Sequence, residues 1–243
     1  MNKKEYYKHI LPHFQQPGQA YFVTWILKDA IPPHALKRYT EKLSHLKAEI
    51  DRLAVVEPGA EVSNLRFNRG WKPRHPDVTP ELQKLIAEYN FLRKKYIAAY
   101  DDLLAIPQTE TIDLSKPDIM HLIFEALMFW ETKKLENIAF CIMPNHVHWV
   151  FRLKEKDENG KWVYLQDIMH SVKRQTSNEI NKLTGRRGAL WQKESFDTTI
   201  RDMEHEYNAV KYTLNNPVKA GFVTDWQIWQ GSWCCEEYKG CGV

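Results

Sequence analysis

The sequence predicts an α+β fold in which helices cover a mainly antiparallel β-sheet. Short stretches rich in β-branched and aromatic residues alternate with longer stretches of helical periodicity. These stretches follow one another in the order strand, helices, strand, strand, helix, strand, helix, which is the order of a split β-α-β sandwich. The length of 243 residues suffices for one such domain with an insertion.

The first strand of the predicted sheet is followed by two long helices. Residues 20–27 read AYFVTWIL, a composition typical of a strand. Apolar side chains recur at helical spacing in residues 35–55, and residues 80–104 form a second such stretch with proline in its first turn. The stretch between them contains the glycine and prolines of a loop. We therefore predict a helical insertion at about residues 35–114, after the first strand of the sheet.

The C-terminal half holds the other elements of the sandwich. Ser115 or Asp118 is expected to cap the next helix, and Pro217 to end the last one, because a proline ring disfavours helical geometry in the preceding residue. The predicted elements are a helix to about residue 134, strands at 138–142 and 146–151, a helix at 165–183, a strand at 196–201 and a helix at 203–215. We predict a single domain over residues 1–243 with a short tail at 227–243.

The charge composition of the chain does not by itself decide whether the protein binds nucleic acid. Lysine and arginine number 34 against 31 acidic residues, a formal net charge of +3, which is too small to indicate nucleic-acid binding. Residues 166–188 carry five basic side chains against two acidic ones. This excess fits a surface that faces phosphates and equally a solvated helix face.

Cysteine usage and the lack of long apolar runs predict a cytoplasmic protein. Cys141 lies in an apolar strand and is expected to be a buried thiol, and the spacing of the other three cysteines matches no zinc ribbon. No apolar run reaches membrane-spanning length, and the first residues lack the apolar core of a signal peptide. We expect reduced thiols and no membrane partner.

Two histidines, His146 and His148, lie two residues apart in a predicted strand. Residues at this spacing point to the same face, so the two imidazoles project together while Val147 and Trp149 point the other way. Two imidazoles side by side on a strand supply half of a metal site. The alternative is a histidine pair on a wet sheet face with no ligand, and the spacing alone does not decide between them.

The last helix carries a second group of chemically interesting side chains. Tyr212 and Asn216 are four residues apart and share a helix face. A tyrosine can act as a covalent nucleophile once its phenol is activated by a metal, a base or a nearby cation, since its unperturbed pKa is about 10. Asn216 lies at the helix end, where its carboxamide oxygen can turn toward a ligand. The alternative for Tyr212 is a helix residue packed on the sheet.

Three motifs occur in a characteristic order: MPNHVH at residues 143–148, GALWQKESFD at 188–197 followed by IR, and YTLNNPVKAG at 212–221. Together they resemble the REP-associated tyrosine transposases of the HUH single-tyrosine transposase superfamily. The strand sequence YFVTW at residues 21–25 also resembles the first strand of that family. The shared motifs cover roughly residues 138–226, so the resemblance carries no role for the helical insertion.

The resemblance implies a ferredoxin-like core and single-stranded DNA as substrate. It implies cleavage by a tyrosine that becomes linked to a 5′-phosphate and leaves a free 3′-hydroxyl; by position, Tyr212 is that nucleophile and His146 and His148 are the metal-binding pair. Asn216 stands where the family supplies a further metal-binding side chain, although relatives in the superfamily use glutamine there. A divalent ion would act as a Lewis acid on the scissile phosphate. Mg²⁺ prefers oxygen ligands and Mn²⁺ tolerates imidazole better, so both remain candidates.

Basic and aromatic side chains near these motifs are predicted to bind DNA. They are Lys173, Arg174, Arg186, Arg187, Trp191, Gln192, Arg201 and Lys219. The alternative for the charged residues is ordinary surface charge. For Trp191 the alternative, which we favour, is an anchor that fastens its loop to the core.

The combined prediction is a metal-dependent enzyme that nicks and joins single-stranded DNA through a 5′-phosphotyrosine, acting on hairpins of the REP type. Three alternatives stay open. The chain is a DNA-binding protein that keeps the transposase fold without activity, a metal-dependent phosphodiesterase that uses water as nucleophile, or an interaction module built on the helical insertion. The sequence is compatible with a monomer and with a homodimer.

Overall fold

The computed structural model divides the chain into two compact units. It describes residues 6–8, 12–14, 16–31, 35, 37–55, 79–105, 112–193 and 195–240. One unit combines residues 1–30 with 107–243, and the other is Ile31–Ile106. The predicted insertion at 35–114 overlaps the second unit, and the loop predicted between its helices lies outside the described residues apart from residue 79.

The second unit consists of the two long helices predicted from the sequence. Helix α1 spans Lys37–Val55 and helix α2 spans Pro80–Ala105, within two residues of the predicted bounds. The two helices pack on each other through buried apolar side chains, which include Ile50, Leu82 and Ile86. Burial of this shared apolar stripe stabilises a helix pair whose remaining faces are polar.

The first unit is built on β-strands that are all paired antiparallel. The strands are β1 (Tyr6–Lys8), β2 (Pro12–Phe14), β3 (Ala20–Ile26), β4 (Leu135–Ile142), β5 (His146–Leu153), β6 (Phe196–Thr199) and β7 (Ser232–Cys234). Strands β1 and β2 form a separate pair, and the main sheet has the order β6-β3-β5-β4-β7. Its first four strands have the antiparallel order of a ferredoxin-like split β-α-β fold, so the predicted fold class is confirmed.

Helices cover both faces of the main sheet. They are α3 (Pro117–Met128), α4 (Leu165–Thr184), α5 (Met203–Lys219) and the short α6 (Glu236–Lys239). Helices α3 and α4 lie on the face that carries Trp25 and Trp149, which we call the tryptophan face. Helix α5 lies on the opposite face, which carries His146 and His148 and which we call the histidine face. None of the described helices combines the length and the apolar content needed to cross a bilayer.

Two predicted helix ends are wrong. Helix α3 stops at Met128 instead of about residue 134, because a tight turn leads the chain back into β4 and holds Thr132 at a φ of 61°, which no right-handed helix contains. Helix α5 continues through Pro217 to Lys219. A proline in the last turn removes one hydrogen bond, and the turn is still closed by the amide of Ala220, which donates to the carbonyl of Asn216.

The predicted tail contributes to the sheet. Residues Trp226–Ile228 form a 3₁₀ turn, and β7 then pairs with β4 at the edge of the sheet. Trp233 of β7 stacks on Phe140 of β4, with ring centroids 5.3 Å apart. A strand of three residues gives too short an alternation to be recognised in the sequence.

Candidate active site

The two histidines meet at the beginning of β5. Both rings point to the histidine face, as the strand spacing predicted, and the Nε2 atoms of His146 and His148 lie 3.1 Å apart. The side chains are 2% and 1% exposed, so the pair is buried under α5 and does not lie on a wet sheet face. A buried polar pair requires hydrogen-bond partners or a ligand, because leaving such groups unpaired costs free energy.

Each imidazole is held at its outer nitrogen by a neighbouring side chain. The Nδ1 atom of His146 lies 2.7 Å from Oδ1 of Asn145, and Nδ1 of His148 lies 2.7 Å from Oγ1 of Thr24. Thr24 is directly opposite His148 in the pairing of β3 with β5. Sequence reasoning missed Thr24, because this contact depends on the register between strands that are more than 100 residues apart in the chain.

The environment keeps both rings neutral. Burial lowers the pKa of His146 to about 3, against a smaller raising effect of its hydrogen bond with Asn216. Burial also holds the pKa of His148 well below its usual value, and the charges of His146 and Lys219 lower it further. Neutral imidazoles present lone pairs, which is the form in which histidine binds a metal.

Helix α5 brings two predicted side chains to the histidine pair. The ring of Tyr212 lies edge-on to that of His148, with centroids 5.2 Å apart, and Asn216 hydrogen-bonds His146. Phe22 of β3 contacts the rings of both His148 and Tyr212, with a centroid distance of 5.7 Å in each case. The i, i+4 spacing on α5 therefore places both side chains over the same end of β5.

The donor atoms at this site fit a divalent cation. Two metal–nitrogen bonds of about 2.1 Å that meet at a right angle hold their nitrogens about 3.0 Å apart, close to the separation found here. Among the described residues no group of three or more histidine, cysteine, aspartate or glutamate side chains could hold a metal. A third protein donor would therefore come from the Asn216 carboxamide, whose side chain already contacts His146.

Part of the predicted DNA-binding set lies on the other face of the sheet. A groove of about 580 Å³ runs between α4 and residues 189–197. Lys173, Arg174, Trp191 and Gln192 all line it, and Val23 of β3 contributes to it from the tryptophan face. The structure thus brings these four side chains together, and separates them from His146 and His148 by the thickness of the sheet.

For Trp191 the structure favours the anchor role over the predicted DNA contact, and it bonds Lys173 within the chain. Trp191 is 6% exposed, its indole N–H donates to Oγ1 of Thr176, and its ring packs edge-on against Trp25. It is an anchor and offers no open face to a base. The Lys173 ammonium donates to the carbonyl oxygens of Gln192 and Lys193 and to Oγ of Ser195. These bonds fasten the loop after Trp191, so the ammonium of Lys173 is bonded to the protein and not directed at solvent.

The remaining predicted DNA contacts are at the surface. Arg174, Arg187, Arg201 and Lys219 are exposed, while Arg186 and Gln192 are half-buried. Lys219 is near enough to His148 for its charge to lower the pKa of that ring, so it belongs to the histidine face. Contacts of these side chains with DNA remain predictions.

Comparison with known proteins adds an independent line of evidence. Residues 116–216 match the family model of IS200-like transposases, and this range contains the histidine pair, Tyr212 and Asn216. A REP-associated tyrosine transposase of Haemophilus influenzae is 30% identical over 99 residues, which cover 39% of this chain. The matched region spans 56% of that relative, so the chain covers little more than half of its length.

A solved structure of a REP-associated tyrosine transposase bound to a REP hairpin also aligns with this chain. The alignment covers 90% of this chain and 79% of that one, with 14% identity and a TM-score of 0.40. The family match covers the His-x-His and tyrosine motifs, and the sequence relative is named as a REP-associated tyrosine transposase. Residues 116–216 are therefore similar to the IS200-like transposases, and the resemblance of the sequence motifs to the REP-associated tyrosine transposases is confirmed.

Proposed function

We propose that this protein is a metal-dependent enzyme that cuts and rejoins single-stranded DNA, with Tyr212 as its nucleophile. One observation carries the proposal: the tyrosine and the amide of α5 meet two buried neutral imidazoles of β5 at one end of the sheet. A phenol beside a cation-binding donor set is the arrangement that nucleophilic phosphoryl transfer requires. The match of residues 116–216 to the family model of IS200-like transposases supports the same activity.

In the proposed reaction the phenolic oxygen of Tyr212 attacks the scissile phosphorus. The phenol gives up its proton to solvent as its oxygen bonds to phosphorus, the bond from phosphorus to the 3′-oxygen breaks, and the leaving oxygen takes a proton from solvent to become a free 3′-hydroxyl. Attack of a 3′-hydroxyl on the phosphotyrosine reverses these steps and joins a strand. The tyrosine ring packs edge-on against both Phe22 and His148, and these contacts would restrict its orientation before DNA binds.

His146, His148 and Asn216 would hold the divalent ion, Mg²⁺ or Mn²⁺. When bound, that ion supplies Lewis-acid polarisation of the phosphate and stabilises charge on the departing oxygen. The exposed ammonium of Lys219 adds a second positive charge on the same face. Its role would be to hold a phosphate of the strand near Tyr212.

The proposed substrate is a single-stranded DNA that carries a REP-type hairpin. The motif resemblance and the family name of the Haemophilus influenzae relative support this choice. The groove between α4 and residues 189–197 is the proposed contact surface for the folded part of the DNA, because Arg174 lines it and residues 166–188 are rich in basic side chains. The reacting strand would lie on the histidine face.

The experiment uses a hairpin oligonucleotide labelled on the 3′ side of the candidate cleavage site, incubated with the protein and Mn²⁺. We expect a labelled band of protein size on a denaturing gel. Tyr212→Phe should lose this adduct completely and bind the hairpin with unchanged affinity. Tyr207→Phe, at an exposed position on the same helix, is the matched control and should give the native yield.

Each other outcome selects a different function. A normal adduct yield from Tyr212→Phe contradicts the nucleophile assignment. Free 5′-phosphate ends without any adduct would indicate a phosphodiesterase that uses water. Hairpin binding without cleavage in Mg²⁺ or Mn²⁺ would indicate a DNA-binding protein that keeps the transposase fold.

A further inference from the structure

The outer nitrogens of the histidine pair are held by two chemically different groups. Asn145 offers a carboxamide oxygen to His146 and Thr24 offers a hydroxyl to His148, each at 2.7 Å. Both supporting side chains are buried, at 3% and 7% exposure. The Thr24 contact is part of the sheet itself, because Thr24 and His148 are paired residues of neighbouring strands.

A metal site at this place needs both Nε2 atoms to face the cation. A histidine that binds a metal through Nε2 carries its hydrogen on Nδ1, and that hydrogen needs an acceptor. Oδ1 of Asn145 lies at acceptor distance from Nδ1 of His146, and Oγ1 of Thr24 lies at acceptor distance from Nδ1 of His148.

Thr24 is fixed at this position by the sheet and not by a ligand. Its strand partner is His148, and its side chain is buried. A hydroxyl can accept or donate by rotating about its Cβ–Oγ bond, so Thr24 keeps its hydrogen bond with Nδ1 of His148 whichever ring nitrogen carries the hydrogen.

We propose that Thr24 is a positioning residue that holds the ring of His148 with its Nε2 atom toward the cation and its hydrogen on Nδ1. Groups that hold the outer nitrogen of a metal-binding histidine set its tautomer and ring orientation, and their loss typically weakens metal binding about 10- to 100-fold. The inference rests on the proposed metal site and deepens it.

The first test measures Mn²⁺ binding to the DNA-free protein by electron paramagnetic resonance. Thr24→Val keeps the shape of the side chain and removes the hydroxyl, and it should raise the Kd for Mn²⁺ by about 10- to 100-fold. Thr24→Ser should restore the Kd to within about threefold of the native value, because the hydroxyl returns. Thr198→Val, the same change on β6, is the matched control and should leave the Kd unchanged.

The outcomes separate this inference from the proposed function. If the native chain binds Mn²⁺ and folded Thr24→Val binds it equally well, the role of Thr24 is overturned and the metal site stands. If the native chain binds no Mn²⁺ or Mg²⁺, the metal site and the role of Thr24 both fall.

A second test observes the tautomer directly and needs no variant that removes the hydroxyl. Histidine ¹⁵N spectra of the native chain with Zn²⁺, assigned with His148→Gln, should show the hydrogen of His148 on Nδ1. A His148 hydrogen on Nε2 in the Zn²⁺-bound chain would overturn the role of Thr24.

Discussion

The two faces of the main sheet treat their polar side chains in opposite ways. On the tryptophan face two indoles are bonded within the chain: the N–H of Trp149 donates to Asn137, and that of Trp191 donates to Thr176. On the histidine face, His146 and His148 meet at two like atoms, the Nε2 nitrogens, and are supported from behind by other side chains. Bonds completed within the chain fix a structure, whereas donor atoms that converge on one point can accept a ligand.

The strand period of two explains how one sheet supports both arrangements. Within β5 the histidines alternate with Val147 and Trp149, so neighbouring residues of one short motif belong to different faces. The motif at residues 188–197 is divided in the same way, since Trp191 is buried on the tryptophan face while Phe196 pairs with Thr24 beside the histidines. Residues that are neighbours in one sequence motif therefore need not belong to one site.

The largest effect is expected from removing a ligand on the histidine face. His148→Ala removes one of the two imidazole donors, and we expect Mn²⁺ binding and Mn²⁺-dependent cleavage to fall by more than about 100-fold, beyond the usual cost of losing a supporting group. Isothermal titration with Mn²⁺ and the hairpin-cleavage gel measure the two effects. His121→Ala, at an exposed position of α3, is the control and should change neither. Cleavage by His148→Ala at the native rate would remove the metal site from the mechanism.

Substitutions on the tryptophan face should lower the stability of the protein and leave the chemistry of cleavage unchanged. Trp191→Ala empties a buried site and is expected to lower the free energy of unfolding by about 3–5 kcal/mol. Trp191→Phe keeps most of the ring but loses the hydrogen bond to Thr176, at a cost of about 1 kcal/mol. Urea unfolding followed by circular dichroism measures both. If Trp191→Phe left stability unchanged but weakened hairpin binding, a base contact would replace the anchor role.

Local periodicity was enough to predict much of the fold and of the candidate site. The shared face of His146 and His148 follows from strand geometry, and that of Tyr212 and Asn216 follows from helix geometry. The motif resemblance supplied what spacing cannot, namely that these two pairs belong to one site. The meeting of α5 with β5 is a contact between elements separated by a helix and a strand, and no local pattern encodes it.

Thr24 and Lys173 mark the limit of sequence reasoning. Thr24 is an ordinary strand residue until the register sets it opposite His148. Lys173 lies in a basic stretch typical of DNA contact, yet its ammonium is bonded to the loop at Gln192 and Ser195. Both outcomes depend on which groups lie opposite in space, and a long flexible cation bonds the nearest carbonyl oxygens as readily as a phosphate.

The smallest effect is expected from a single surface charge in the groove of the tryptophan face. Arg174 is exposed and lines that groove, so Arg174→Gln should weaken hairpin binding modestly and reduce the slope of log affinity against log salt by about 1. The Kd for Mn²⁺ should not change, because the sheet separates Arg174 from the histidines. Lys182→Gln, exposed on the same helix but outside the groove lining, serves as control. Fluorescence anisotropy of a labelled hairpin at several salt concentrations gives both slopes. Equal slopes for Arg174→Gln and the native chain would remove the groove from the DNA-binding surface, while leaving the histidine face as it is.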